Sequence, residues 1–283
     1  MHLIRFIRAK LFQYRVQTLG SGTYRDRFGL KYTLWPDTKP FDTVIKGARL
    51  DDLGLAFVLE DLFAQLLPEA GVDNPVVCVD VGAFIGIVSM FMASRVGGKG
   101  VVHSFEPSPE IFRRIKHNVE QGGHDNVTVN NLAVSDQSAQ DILFDSSGTP
   151  GGHHIVHDAA ASGQDNLTRI STVTLDSYLE SHGLSKVHVL KIDAEGSDDK
   201  VLAGAAKALA ERRISFIIGE YETGDMYTGI IAKLKELGYG CYYVLRHTNR
   251  LLRDAADYPA GHPSLLNFLA IAPGIDTTRL NIS

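Results

Sequence analysis

Apolar residues change their spacing along this chain, and the spacing predicts the elements. From residue 75 onward, short β-branched runs alternate with stretches of helical period. The runs 76–81, 100–105, 127–132, 187–192 and 214–220 predict strands, and 85–95, 109–121, 200–211 and 229–238 predict the helices between them. Parallel neighbours in a sheet need a crossover long enough to hold a helix, so this alternation implies an α/β fold with a doubly wound, mostly parallel sheet of Rossmann-like type. Two late apolar runs, 240–245 and 267–272, are joined by a polar, basic link and predict an antiparallel hairpin at the sheet edge.

The flanks of this regular region read differently. Residues 1–74 form a preamble expected to pack on a main domain of residues 75–283. Leu3, Ile4, Ile7 and Leu11 recur at helical spacing, with Arg5, Arg8, Lys10 and Arg15 largely elsewhere on the turn. That pattern suits a helix docked on its own core, on a partner chain as a dimer contact, or peripherally on a membrane surface. Residues 23–47 alternate apolar and polar around Pro36 and Pro40, which predicts short strands and turns, and 53–67 form a helix with a stripe of Leu55, Val58, Leu59, Leu62, Phe63 and Leu66. Between residues 142 and 173 the alternation lapses. An irregular insertion over 145–170, rich in Gly, Ser, Ala and His, is expected there, and a long irregular segment in a compact domain is usually a lid or a mobile loop.

Composition narrows the function classes. The chain has 283 residues, 44% hydrophobic and 22% charged, which is ordinary globular usage. With 28 basic and 33 acidic residues the net charge is −5, so the basic excess of a nucleic-acid binder is missing. Cys78 and Cys241 lie in separate apolar runs, which leaves no disulfide framework. Charges at Arg5, Arg8 and Lys10 interrupt any secretory signal, so a cytoplasmic location is expected. Residues 76–93 imitate a membrane span, but Gly82, Gly86 and Asp80 divide them into a strand, a turn and a helix.

The candidate chemistry sits at strand ends. In Asp80-Val81-Gly82-Ala83-Phe84-Ile85-Gly86 an apolar strand meets a glycine turn that opens a helix, where small residues allow close approach to the backbone and free N–H groups point outward. A dinucleotide fingerprint would need glycine at positions 84 and 87, which hold Phe84 and Ile87, so hydride transfer with NAD(P) is disfavoured. The spacing D-x-G-x-x-x-G is instead similar to that of S-adenosylmethionine-dependent methyltransferases, whose acidic residue lies near the amino-acid end of the ligand. Glu106 ends the next strand in Phe105-Glu106-Pro107, 26 residues after Asp80. A carboxylate there can accept hydrogen bonds from both hydroxyls of a ribose. Asn131-Leu132-Ala133-Val134 follows the third strand, and Asp193 and Glu195 follow the fourth, at the carboxyl edge where ligands of doubly wound sheets bind.

Together, the DVGAxxG turn, FEPSP at 105–109, the stretch 118–136 ending NLAVSD, TLDSY at 174–178, LKIDAEG at 190–196 and VLAGA at 201–205 resemble the FkbM family of methyltransferases over about residues 75–222. The chain departs from it at Phe84, where the family commonly has Asn. The resemblance implies a class I methyltransferase fold with S-adenosyl-L-methionine as methyl donor. It also implies O-methylation of a small-molecule or carbohydrate acceptor, namely a hydroxyl of a sugar, glycolipid or polyketide-type natural product. The donor site would comprise Asp80, Gly82, Ala83, Phe84, Gly86, Glu106, Pro107, Ala133 and Asp193.

Methyl transfer from a sulfonium is an in-line displacement, so the protein aligns the reactants and accepts a proton. Asp193 and Glu195 are candidate bases by position, and His154, with His153 and His157, by its place in the insertion. The His-His-x-x-His spacing also suits a metal, but no predicted helix sets its geometry, so none is assigned. Asp198 and Asp199 suit a helix N-terminus, Asp176 a cap, and Glu220 and Glu222 the acceptor pocket. A noncatalytic binding module on the same fold is the alternative.

Overall fold

The computed structural model describes residues 18, 21–26, 28–38, 54–145, 154–155, 167–220, 225–245, 248–253 and 265–283. The expected N-terminal helix lies outside them. Chain order begins with an antiparallel hairpin of β1 (Gly22–Arg25) and β2 (Lys31–Leu34), then α1 (Gly54–Leu66). The regular alternation follows as β3 (Val76–Val81), α2 (Ile87–Val96), β4 (Gly100–Phe105), α3 (Pro109–Gly122) and β5 (Val127–Asn130). A small second sheet takes β6 (Ala133–Val134), β7 (Ala139–Asp145), β8 (His154–Ile155) and β9 (Leu167–Val173). The main sheet resumes after α4 (Leu175–Ser181) with β10 (Val187–Ile192), α5 (Asp198–Ala203), α6 (Ala206–Ala210), β11 (Ile214–Glu220), α7 (Asp225–Glu236), β12 (Gly240–Leu245), β13 (Leu251–Leu252) and β14 (Leu265–Ile271).

The main sheet has the order β13-β12-β14-β11-β10-β3-β4-β5. The run from β5 through β4, β3 and β10 to β11 is parallel, while β14 enters antiparallel between β11 and β12. The late apolar runs therefore do pair with each other, but β14 is an interior strand and the short β13 forms the edge. Chain order reverses direction between β3 and β10, which makes their carboxyl ends the switch point where ligands of such sheets bind. Strand alternation splits the core between the two faces: Cys78 and Val189 pack with α1, α2 and α3, while Val79, Val81, Leu190 and Ile192 pack with α4, α5 and α7.

Other departures from the expected elements have local causes. The predicted helix over 200–211 is two short helices. Asp176 donates its N–H to the Gly204 carbonyl, and its two carboxylate oxygens accept the N–H groups of Lys207 and Ala208, so it caps α6 and fixes the break. A Cβ on Gly204 would lie 2.0 Å from the Ser135 carbonyl oxygen, so the AVSD, TLDSY and VLAGA segments meet where only glycine fits. The irregular insertion is bounded by paired strands, β7 against β9, which bury Phe144 and Ile170 with Ala133. Residues 76–93 are a strand, a turn and a helix, and no described helix is long and apolar enough to cross a membrane.

The preamble hairpin is tied to the site through Asn118. This wholly buried side chain accepts the Thr33 N–H at 2.7 Å and donates to the carbonyls of Ile85 at 2.9 Å and Thr33 at 3.3 Å. It thus joins β2, α3 and the glycine turn. Asn118→Ala leaves a buried N–H and a buried carbonyl without partners, and each such group costs about 1–3 kcal/mol. We expect about 2–3 kcal/mol of destabilisation in urea unfolding, with faster amide exchange across residues 22–34.

Candidate functional site

Register across three parallel strands builds the site in two rows. Lys191 of β10, Asp80 of β3 and Ser104 of β4 are neighbours in the ladder. Two residues further along each strand, on the same face, come Asp193, Gly82 and Glu106. The first row is sealed beneath the surface and the second meets the crevice.

The buried row is a connected polar chain. Ser104 donates to Ser89 of α2 at 2.8 Å, and Ser89 donates to Asp80 Oδ2 at 2.5 Å. Asp80 has no exposed surface, and its Oδ1 has no hydrogen-bond partner but lies 3.6 Å from Lys191 Nζ as an ion pair. The ammonium also donates to Asp193 Oδ2 at 3.1 Å and to the Gly82 carbonyl at 3.3 Å. Burial alone would favour a neutral lysine, but the charges of Asp193 and Asp80 outweigh it and raise the Lys191 pKa above its ordinary value.

The outer row is shaped by close backbone approach. Gly82 has φ 73°, and a Cβ on it would lie 1.7 Å from the Asp193 carbonyl oxygen, so no other residue fits between the ends of β3 and β10. Gly86 has φ 86° and opens α2, where an added Cβ would strike Ile115. Phe84 and Glu195 hold positive φ, 50° and 47°, one on each loop facing the crevice. Non-glycine residues in this region cost of order 1–3 kcal/mol and persist only where their surroundings impose them.

Glu106 is 7% exposed, and its Oε1 accepts the Ser108 N–H at 2.9 Å while Oε2 accepts the Phe84 N–H at 3.0 Å. Burial pushes its pKa up to about 7, against the lowering effect of those two N–H groups and of the Lys191 charge. Asn131 donates to the carbonyls of Glu106 and Pro107, both at 2.9 Å, and so holds the turn that presents the carboxylate. Ala133 is buried in β6, next in chain. Asp193 differs in kind: its side chain is 40% exposed. Asp198 is buried at the start of α5 and accepts the Ala194 N–H at 3.3 Å, and burial raises its pKa.

The structure brings Asp80, Gly82, Phe84, Glu106 and Asp193 to one edge, with Glu195 on the adjoining loop. His154 lies in β8, opposite Asp145 of β7, while His153, His157 and Glu222 lie outside the described residues. Glu220 ends β11, paired with Asn267. Among the described residues no group of three or more His, Cys, Asp and Glu could hold a metal ion. Lys191 was missed as a site residue. Its signal was present, a lysine inside the apolar strand VHVLKI two positions before Asp193.

The family described as Methyltransferase FkbM domain matches residues 80–241, more than half of the chain. The chain is 30% identical over 165 residues to the hexuronic acid methyltransferase AglP of Haloferax volcanii, covering 58% of the chain and 63% of AglP. It is 25% identical over 145 residues to the 2-O-methyltransferase NoeI of Sinorhizobium fredii, covering 46% of the chain and 57% of NoeI. The chain thus spans less than two thirds of the length of either relative. Among solved structures, the methyltransferase domain of METTL16 has a TM-score of 0.51 at 11% identity, covering 94% of this chain and 91% of that domain, a likeness of fold alone.

Removing a single partner of a buried ion pair leaves an uncompensated charge and costs about 3–5 kcal/mol. Lys191→Met should destabilise the chain by about that amount in chemical denaturation. Asp80→Asn combined with Lys191→Met, which removes both buried charges, should recover most of it. Equal losses in the two variants would show that the pair is not what the fold depends on.

Proposed function

The chain belongs to the FkbM methyltransferase family, and on that premise we propose that it transfers a methyl group from S-adenosylmethionine to a hydroxyl oxygen of a sugar, glycolipid or polyketide-type natural product. A sugar hydroxyl is the favoured acceptor, supported by the similarity to AglP, a hexuronic acid methyltransferase, and to NoeI, a 2-O-methyltransferase. The observation that carries the reading is the Glu106 carboxylate at the tip of β4, held by two backbone N–H groups beside the glycine turn.

The residues present fit such a donor. Each Glu106 oxygen accepts one backbone N–H, and an ionised carboxylate offers about four lone-pair sites in all, so acceptor capacity remains for two ribose hydroxyls. The glycine turn brings backbone close to the crevice, with Gly82 so tight against the Asp193 carbonyl that no Cβ fits. S-adenosylmethionine supplies an electrophilic methyl group on a sulfonium, which departs as a neutral thioether. The protein then has to orient the acceptor and take a proton. Asp193, exposed at the mouth and fixed from below by Lys191, orients the hydroxyl and accepts its proton as the new bond forms. Glu195, on the strained turn two residues on, lines the acceptor side.

Two outcomes follow. The Glu106 pKa near 7 lies above its ordinary value of 4.5, so the carboxyl is protonated through mildly acid pH and becomes a full acceptor as pH rises past about 7. Affinity for S-adenosylhomocysteine, measured by calorimetry, should therefore increase from pH 6 to about 8. Glu106→Gln should weaken it at least about tenfold at the higher pH and flatten the dependence, because hydrogen bonds to a charged group are worth about 1.5–3 kcal/mol each. In a turnover screen over sugar and polyketide hydroxyls, Asp193→Asn should keep donor-product affinity and lose about 10²- to 10⁴-fold in turnover. Lost affinity with unchanged turnover at saturation would move Asp193 to the donor site.

A further inference from the structure

We propose that Lys191 is a positioning residue that locks the Asp193 carboxylate and the Gly82 carbonyl into one unit at the base of the site. An ammonium has three N–H donors. Three oxygens surround this one: Asp193 Oδ2 at 3.1 Å, the Gly82 carbonyl at 3.3 Å and Asp80 Oδ1 at 3.6 Å. Asp80 is itself held through Ser89 and Ser104, so the anchor is rigid and runs across three strands and a helix.

Neutralising buried Asp80 accounts for having a cation at this position, but not for the bond to Asp193. With 40% of its side chain exposed, Asp193 would stay solvated even without Lys191; its charge helps offset the burial of the ammonium, and the same 3.1 Å bond fixes where the carboxylate points. The bond therefore acts on orientation as well as on charge. The backbone of Asp193 already has no slack, because it abuts Gly82 closely enough to exclude a Cβ. The side-chain torsions are the remaining freedom, and Lys191 removes them. The charged groups around Nζ are Asp80 from β3 and Asp193 from its own strand, while Glu106 after β4 and Asp198 of α5 feel its charge as well.

The consequence for turnover rests on the methyl-transfer reading, but the lock itself is readable without activity. In protein labelled with ¹⁵N-lysine, the Lys191 Nζ signal is identified by its loss in the Asp80→Asn/Lys191→Met variant and is followed by NMR at neutral pH. Asp193→Asn, a change at an exposed side chain, should shift that signal and speed the exchange of the Nζ protons with water several-fold relative to wild type. An unchanged signal and exchange rate overturn the lock. With the acceptor found by the turnover screen, Asp80→Asn/Lys191→Met should lose about 10²-fold in turnover relative to Asp80→Asn alone. Adding Asp193→Asn to that variant should cost at least about tenfold less than the same change costs in the wild-type chain, whereas losses that multiply independently would overturn the positioning role. Absence of S-adenosylhomocysteine binding heat in the wild-type chain would sink the methyl-transfer reading instead, and the Nζ signal would still decide the lock.

Discussion

A buried ammonium among carboxylates at the seam between β3 and β10 is the interaction on which the site depends. Parallel strands covered on both faces are normally apolar throughout. Here one register carries Lys191, Asp80 and Ser104 side by side. None of these would be tolerable alone in the interior, and each is compensated by the next. The row is placed one step below the carboxyl edge, so its outward partners, Asp193, Gly82 and Glu106, inherit fixed positions. The cost of burying charge is thereby tied to order at the crevice.

The carboxylates of this region differ because their surroundings differ. Asp80 is sealed and paired, and supports from beneath. Glu106 is buried with two backbone donors, and its raised pKa reflects a charge kept from solvent. Asp193 is open to solvent on one side and tethered on the other. Asp198 and Asp176 are turned to backbone N–H groups of turns and helix starts, and their role is structural. Burial and partners alone thus set acids of similar sequence context apart, and the proposed division into supports, a ligand acceptor and a base rests on that difference.

Much of this was legible in the chain. The strands 76–81, 100–105, 187–192 and 214–220 coincide with β3, β4, β10 and β11, because buried parallel strands leave uninterrupted β-branched runs. The acid-tipped strand ends and glycine turn were readable for the same reason. Periodicity failed where tertiary contacts decide. Asp176 reads as a cap and is one, but periodicity could not show that the helix it caps is split off from 200–211, nor that β7 and β9 pair across a polar insertion. Nor could it rank Asp80 below the surface and Asp193 at it, since both simply follow apolar runs. Lys191 was passed over because a single charge in a strand reads as noise until the register sets it opposite Asp80.

If the carboxyl edge of β3, β4 and β10 is a donor site read by Glu106, the placement of a bound donor product is fixed in advance. A crystal structure of the chain with S-adenosylhomocysteine tests it most directly. Both ribose hydroxyls should then lie within hydrogen-bonding distance, about 2.5–3.0 Å, of the Glu106 carboxylate, with the sulfur end over the Gly82 turn towards Asp193. Ligand bound elsewhere, or in the crevice with its ribose turned away from Glu106, would contradict it.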